Sequence, residues 1–91
     1  MLALELSKQA SDFLRALPIK QGKQIAAKLK ILAADPMVLP SEQLQGFAPY
    51  RRLKADEFRI IYIVEAETVF VRLIGKRNDD EIYKALTRAL R

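Results

Sequence analysis

The residues in this chain best suited to chemistry are arginines and tyrosines of its second half. They fall in Tyr50-Arg51-Arg52-Leu53-Lys54, in Phe58-Arg59-Ile60-Ile61-Tyr62, in Lys76-Arg77 and at Tyr83. A guanidinium is a planar, permanently charged fork that matches the oxygens of a phosphate. If the first two segments pair as adjacent antiparallel strands with Leu53 facing Phe58, Arg52 stands directly opposite Arg59 on one face. Like charges so placed are destabilising in a protein that binds nothing, and a phosphate between them reverses the sign. The register matters, because a slip of one residue would send one arginine to the other side. Arg77 follows the last strand of the series. Tyr83 lies on a helix beyond it, about 100° around from the apolar stripe through Ile82. A ring there can stack on a base while its hydroxyl bonds a phosphate or ribose.

Other chemistries are excluded by what the chain lacks. It has no histidine and no cysteine. That removes catalytic triads, thiol nucleophiles, imidazole bases, disulfides and thiolate zinc sites. No carboxylate cluster is present to hold a metal, and no cofactor is expected. The 16 basic against 11 acidic residues give a net charge of +5, which favours any polyanion without specifying one.

Several of these residues have plainer roles open to them. Arg59 can be a solvated strand residue. Arg51 alternates away from Arg52 and can run its stem past the rim of the core. Tyr62 belongs to the core, and by spacing alone Tyr83 serves equally as a core-edge residue. Arg72 lies within the last strand, on a face that an unknown register decides. Lys23, Lys28 and Lys30 form a solvated helix face.

The elements that must position the cations follow from periodicity. Ala3 to Leu6 reads as a short strand. Ser7 or Ser11 can cap a helix with Ala10, Phe13, Leu14 and Leu17 on one side, ended by Pro18. A second helix, from about Lys20 to Ala34, buries Ile25, Leu29 and Leu32. Asp35-Pro36 stops it, and Pro40 keeps the connection irregular as far as Gly46. Tyr50 to Lys54, Phe58 to Val64 and Thr68 to Ile74 read as strands separated by breaks too short for a crossover, hence an antiparallel meander. After Gly75 the spacing of Ile82, Leu86, Ala89 and Leu90 predicts a terminal helix, capped by Asp79 or Asp80. The expected fold is a single α+β domain over residues 1–91, an N-terminal strand and helical hairpin packed on an antiparallel meander, with a short C-terminal helix. Its helices should cover one sheet face and leave the other, or an edge, for a ligand. The opening residues lack the basic start of a signal peptide, and no apolar run nears the ~18 residues of a membrane span. A cytoplasmic protein with no membrane partner is expected.

From about Leu44 to Leu90 the chain resembles the RelE/ParE superfamily of bacterial toxin–antitoxin modules. The resemblance rests on Leu44-Gln45-Gly46, Tyr50-Arg51-Arg52-Leu53-Lys54, Phe58-Arg59-Ile60-Ile61-Tyr62, Gly75-Lys76-Arg77 and Ile82-Tyr83, in that order and spacing. It implies a RelE-like fold. It also implies a metal-independent mRNA interferase that cuts messenger RNA in the ribosomal A site. The ribose 2′-hydroxyl attacks the adjacent phosphate, leaving a 2′,3′-cyclic phosphate. Residue by residue, Arg52 falls on a basic catalytic position, Arg59 on the transition-state arginine, Arg77 on the arginine proposed as general acid, and Tyr83 on the stacking or orienting tyrosine. Tyr50, Lys54 and Lys76 would contact RNA. RelE carries lysine where Tyr50 and Arg52 stand. A guanidinium, with a pKa above ~12, is a poor proton acceptor, so the general base is unassigned; Lys54 is the nearest lysine, one register step beyond Arg52, and Lys76 is another candidate. Stabilising the doubly charged phosphorane-like state would then supply most of the rate.

The superfamily offers an alternative, a ParE-type toxin that inhibits DNA gyrase by protein binding, or a catalytically weakened relative. Arg77 with Tyr83 favours the nuclease, and the missing lysines favour the alternative. A plain nucleic-acid-binding module would need a recognition helix or stacking platform that the sequence lacks. Either toxin implies a cognate antitoxin with an apolar, partly acidic segment that folds on its surface.

Overall fold

The computed structural model describes residues 1–77 and 81–90. Strand β1 (Ala3–Leu6) leads into helices α1 (Lys8–Ala16) and α2 (Ile19–Ala34). Strands β2 (Ser41–Gln43), β3 (Arg51–Ala55), β4 (Phe58–Glu65) and β5 (Thr68–Lys76) follow, and helix α3 (Glu81–Ala89) ends the order. The proposed Asp79 or Asp80 cap of α3 lies outside the described residues.

Local chemistry accounts for the helix boundaries. Ser7 caps α1, its Oγ accepting from the Ala10 N–H at 3.1 Å and donating to the Arg72 carbonyl at 2.6 Å. The cap thus ties α1 to β5 as well as satisfying a free helix donor. Gln9 reinforces the tie by bonding both backbone groups of Ile74, at 2.9 and 3.0 Å. Pro18 sits at the N-cap of α2, where its missing N–H costs nothing, and Asp35 closes the far end.

The sheet runs β1-β5-β4-β3-β2. The meander is antiparallel as expected, and β1 adds in parallel at one edge, Ala3 beside Thr68. Strand β2 on the other edge departs from the expected irregular connection. Its sequence, Ser41-Glu42-Gln43, is polar throughout. An edge strand with both faces wet needs no apolar alternation, so periodicity is blind to it.

The helices do not share one face, contrary to expectation. Leu53, Ala55, Phe58, Ile60, Tyr62, Val69, Val71 and Ile74 form a core with Ala10 of α1 and with Ile25, Leu29 and Leu32 of α2. Ile61 and Leu73, alternating to the other side, form a second core with Leu44 and with Ile82 and Leu86 of α3. The run Ile60-Ile61-Tyr62-Ile63 is buried throughout, as a strand covered on both sides must be. Gly75 lets α3 come close, since a Cβ there would lie 3.0 Å from Ile82 Cδ1. A bulge in β5 leaves Arg72 as the additional residue, because Ile61 pairs with Leu73 while Tyr62 pairs with Val71. Arg72 reaches the Ala89 carbonyl at 3.1 Å, placing a cation at the end of α3 where the helix dipole favours it.

Candidate functional site

The β3–β4 register differs by two residues from the expected one. Ala55 faces Phe58, so Arg52 stands opposite Ile61, and it is Lys54 that stands opposite Arg59. The strands run further because their turn is only Asp56-Glu57, with Asp56 at φ 58°, a left-handed conformation that Asp tolerates. A shift of two keeps every side chain on its face. Arg52, Lys54 and Arg59 therefore share the side that carries α3, beside the uncovered β2 edge.

Arg52 is the centre of this surface. Its Nη1 donates to the Tyr83 hydroxyl at 2.7 Å, and its Nη2 donates to Glu42 Oε2 at 2.6 Å. Its Nε is buried with no acceptor among the described residues, a cost of roughly 1–3 kcal/mol that the two charge-assisted contacts must offset. The Tyr83 bond, followed by the Glu42 bond, holds the guanidinium above its ordinary pKa, so Arg52 is a cation at any working pH.

Glu42 is the acid that sequence reasoning missed. Lys54 Nζ lies 3.9 Å from its other oxygen. Its carboxyl is held below the ordinary carboxylate range by the Arg52 hydrogen bond first, then by the charges of Lys54, Arg52 and Arg59. Three cations of β3 and β4 thus act on one carboxylate of β2, which relieves the repulsion between Lys54 and Arg59. With its side chain 60% exposed, Glu42 remains displaceable. The one signal for it in the sequence is a lone acid between Pro40 and the arginine-rich segment.

Arg59 folds back over the hairpin turn, donating from Nη1 to the carbonyls of Phe58 at 2.8 Å and Asp56 at 3.0 Å. Arg77 lies just past β5 at the same end of the sheet. Its backbone N–H bonds the Glu57 carbonyl at 2.7 Å, and its exposed side chain makes no hydrogen bond or ion pair among the described residues. Arg59 and Arg77 thus flank one turn, while Arg52 is fixed nearer the middle of the cationic surface.

Two expected RNA contacts are not gathered here. Lys76 pairs with Phe58 and so alternates to the α1–α2 side of the sheet. Tyr50 packs on the second core and lines a different cleft, with Glu5, Glu65 and Phe70. Both departures follow from strand parity and position, which spacing to the nearest arginine does not reveal. Arg51 points away from Arg52, as expected, and binds Ser41 through Oγ at 2.8 Å and the carbonyl at 2.9 Å. Tyr62 is core, its hydroxyl donating to Ser41 Oγ at 2.9 Å.

The model of the ParE toxin of type II toxin–antitoxin systems matches residues 4–81. The chain belongs to this toxin family. The toxin's fold is that of RelE. It is similar to a double-arginine mutant of Escherichia coli RelE in the free state, with 23% identity, a TM-score of 0.79, and coverage of 99% of this chain and 98% of that one. It is also similar to the RelE–RelB complex of Pyrococcus horikoshii, with 19% identity, a TM-score of 0.73, and coverage of 85% and 96%. The chromosomal ParDE system of P. aeruginosa matches with 17% identity, a TM-score of 0.70, and coverage of 84% and 96%. At these identities the likeness shows the fold. No curated protein sequence matches. No helix among the described residues is long and apolar enough to cross a membrane.

Proposed function

We propose that the toxin is a ribosome-dependent endoribonuclease that cuts messenger RNA in the cytoplasm and so inhibits translation. The observation supporting this most strongly is the Glu42 carboxylate held by Arg52 with Lys54 and Arg59 around it. A surface that concentrates cations on one displaceable internal anion is suited to taking a phosphodiester in that anion's place.

On this reading the scissile phosphate displaces Glu42 from Arg52. Freed from its guanidinium, Glu42 regains basicity and accepts the proton of the ribose 2′-hydroxyl. The 2′-oxygen bonds phosphorus, the bond from phosphorus to the 5′-oxygen breaks, and a 2′,3′-cyclic phosphate remains upstream. Arg52 and Arg59 stabilise the doubly charged phosphorane-like state, a contribution that for a single preorganised donor is about 10²–10³ in rate. Arg77, just past β5 and without a side-chain partner among the described residues, offsets the charge of the departing 5′-oxygen while that oxygen takes a proton from water. Tyr83 orients Arg52 through its hydroxyl and offers its ring to a base. No metal or cofactor enters these steps.

The second reading, inhibition of DNA gyrase by protein binding, is favoured by the ParE family match. In either case the partner is a cognate antitoxin, as in the RelE–RelB complexes of similar fold. An acidic segment of it would compete with Glu42 for the same cations. Inducing the toxin without its antitoxin separates the readings. Codon-positioned cuts on translating ribosomes, lost in Arg52→Ala, support the nuclease. Intact transcripts with inhibited DNA supercoiling support the gyrase reading.

A further inference from the structure

Strand β2 has little of its own to fix its register. It is three residues long, lies at the sheet edge and buries none of its side chains. Pro40 precedes it and has no N–H with which to extend the ladder. A slip of one residue would carry Glu42 to the other face, and a slip of two would move it about 7 Å along β3. Leu44, buried in the second core, secures the far end, and its N–H bonds the Tyr50 carbonyl at 3.0 Å. The near end, at Ser41, has no apolar side chain to do the same.

A polar clamp holds that end instead. Ser41 Oγ accepts from Arg51 Nε at 2.8 Å and from the Tyr62 hydroxyl at 2.9 Å, and the Ser41 carbonyl accepts from Arg51 Nη2 at 2.9 Å. The two bonds to Oγ use both of its lone pairs. Neither the Arg51 nor the Tyr62 side chain has another hydrogen-bond partner among the described residues, so both are committed to Ser41. Tyr62 is only 1% exposed, and its hydroxyl ties the edge strand to the first core across β3. Arg51 pairs with Tyr62 and Ser41 pairs with Leu53, which puts the clamp on the α1–α2 face of the sheet. Glu42 alternates to the opposite face, where it meets Arg52 at 2.6 Å. The strand is gripped on one face and presents its acid on the other.

We propose that Ser41 is a positioning residue: clamped by Arg51 and Tyr62, it fixes the β2 register that sets the Glu42 carboxylate against Arg52. Its part in cleavage rests on the nuclease reading, in which Glu42 accepts the proton. Its hold on Glu42 stands on the geometry alone. Arg51 faces away from Arg52 and acts through Ser41. Without the clamp the near half of β2 is free to shift, and Glu42 loses its fixed distance from the guanidinium.

Two measurements test the clamp, the first without reference to cutting. It follows the Glu42 carboxyl carbon of the intact toxin by NMR as pH is varied. The charged and titratable groups around that carboxyl are Arg52 and Lys54 of β3, Arg59 of β4, Lys28 of α2 and Tyr83 of α3. In Ser41→Ala the titration should move up toward the ordinary 4.5 as the Arg52 contact loosens, and Ser41→Thr, which keeps Oγ, should return it. Tyr62→Phe removes one of the two bonds to Oγ and keeps the ring, so it should shift the titration the same way by less. It also decides the matter should Ser41→Ala fail to fold. An unmoved titration in the folded variants overturns the clamp. The second measurement is single-turnover cutting on programmed ribosomes. Ser41→Ala should cut roughly tenfold or more slowly, the scale of a slightly misplaced catalytic group, without weaker ribosome binding. In a Glu42→Gln background the same substitution should cost less than about twofold, because the clamp acts through Glu42. A full-sized further loss in that background overturns the positioning role. Absence of cutting by the unaltered toxin would instead defeat the nuclease reading and leave the titration to decide the clamp.

Discussion

The Arg52 guanidinium donates to the Tyr83 hydroxyl at 2.7 Å, joining β3 to α3 across 31 residues of sequence. The same guanidinium holds Glu42 of the edge strand with its other terminal nitrogen. One side chain therefore sets the relative positions of an aromatic ring, a carboxylate and a permanent cation, drawn from three elements.

Tyr83→Phe should separate orientation from stacking. The ring remains and the acceptor for Arg52 is lost. Stability should fall by about 1 kcal/mol, the usual scale for one hydrogen bond. Single-turnover cutting should slow roughly tenfold as Arg52 loses its bearing, whereas Tyr83→Ala should lose a further ~5-fold or more from stacking. Equal rates for the two variants would mean that the hydroxyl does all the work of the residue.

Glu42→Gln should move binding and cutting in opposite directions. Removing the internal anion leaves Arg52 and Lys54 free for phosphate, so RNA binding tightens and its salt dependence steepens. Removing the proton acceptor slows cleavage. The pH dependence carries a definite sign. Because the carboxyl titrates below its ordinary value of 4.5, its contribution to folding is complete above that value and fades as pH falls through the lower folded value. The acid limb of an unfolding curve should flatten below pH 4.5 in Glu42→Gln, and identical limbs would show that the ion pair does not contribute.

Gly75→Ala tests whether α3 must seat closely for the site to form. The new methyl would meet Ile82 Cδ1 at 3.0 Å and Ile82 Cβ at 3.2 Å. A stability loss of about 1–3 kcal/mol is expected from overpacking. Cutting should fall beyond what the lost stability explains, because Tyr83 follows Ile82 on the shifted helix. Adding Ile82→Val should restore part of both. Unchanged activity at reduced stability would show that Tyr83 tolerates displacement.

Much of this architecture is legible in the sequence, for physical reasons that differ along the chain. The helices announce themselves through Ala10, Ile25, Leu29 and Leu32 at helical spacing, and Ser7 caps the first as its type requires. The meander is evident in the β-branched and aromatic runs. Strand β2 escapes notice because Ser41-Glu42-Gln43 has no buried side to imprint a pattern, and Glu42 is hidden with it. The two-residue register difference arises at Asp56, where turn chemistry sets strand length and hydrophobic pattern does not. The second covered face is encoded in Ile60-Ile61-Tyr62-Ile63, too continuous for a sheet with one wet side. Arg52 and Tyr83 are conspicuous as residue types, but their contact depends on α3 crossing the sheet, which spacing along the chain does not specify.

The most direct test uses programmed ribosomes carrying either an all-ribose message or one with a single 2′-deoxy nucleotide at the mapped cut. Single-turnover cleavage is measured with the unaltered toxin and with Arg52→Ala, and the new ends are analysed. The account predicts 2′,3′-cyclic phosphate ends, no cutting of the deoxy message, and a rate about 10²–10³-fold lower in Arg52→Ala while ribosome binding persists. Cleavage of the deoxy message, or an Arg52→Ala variant that cuts at the unaltered rate, would contradict it.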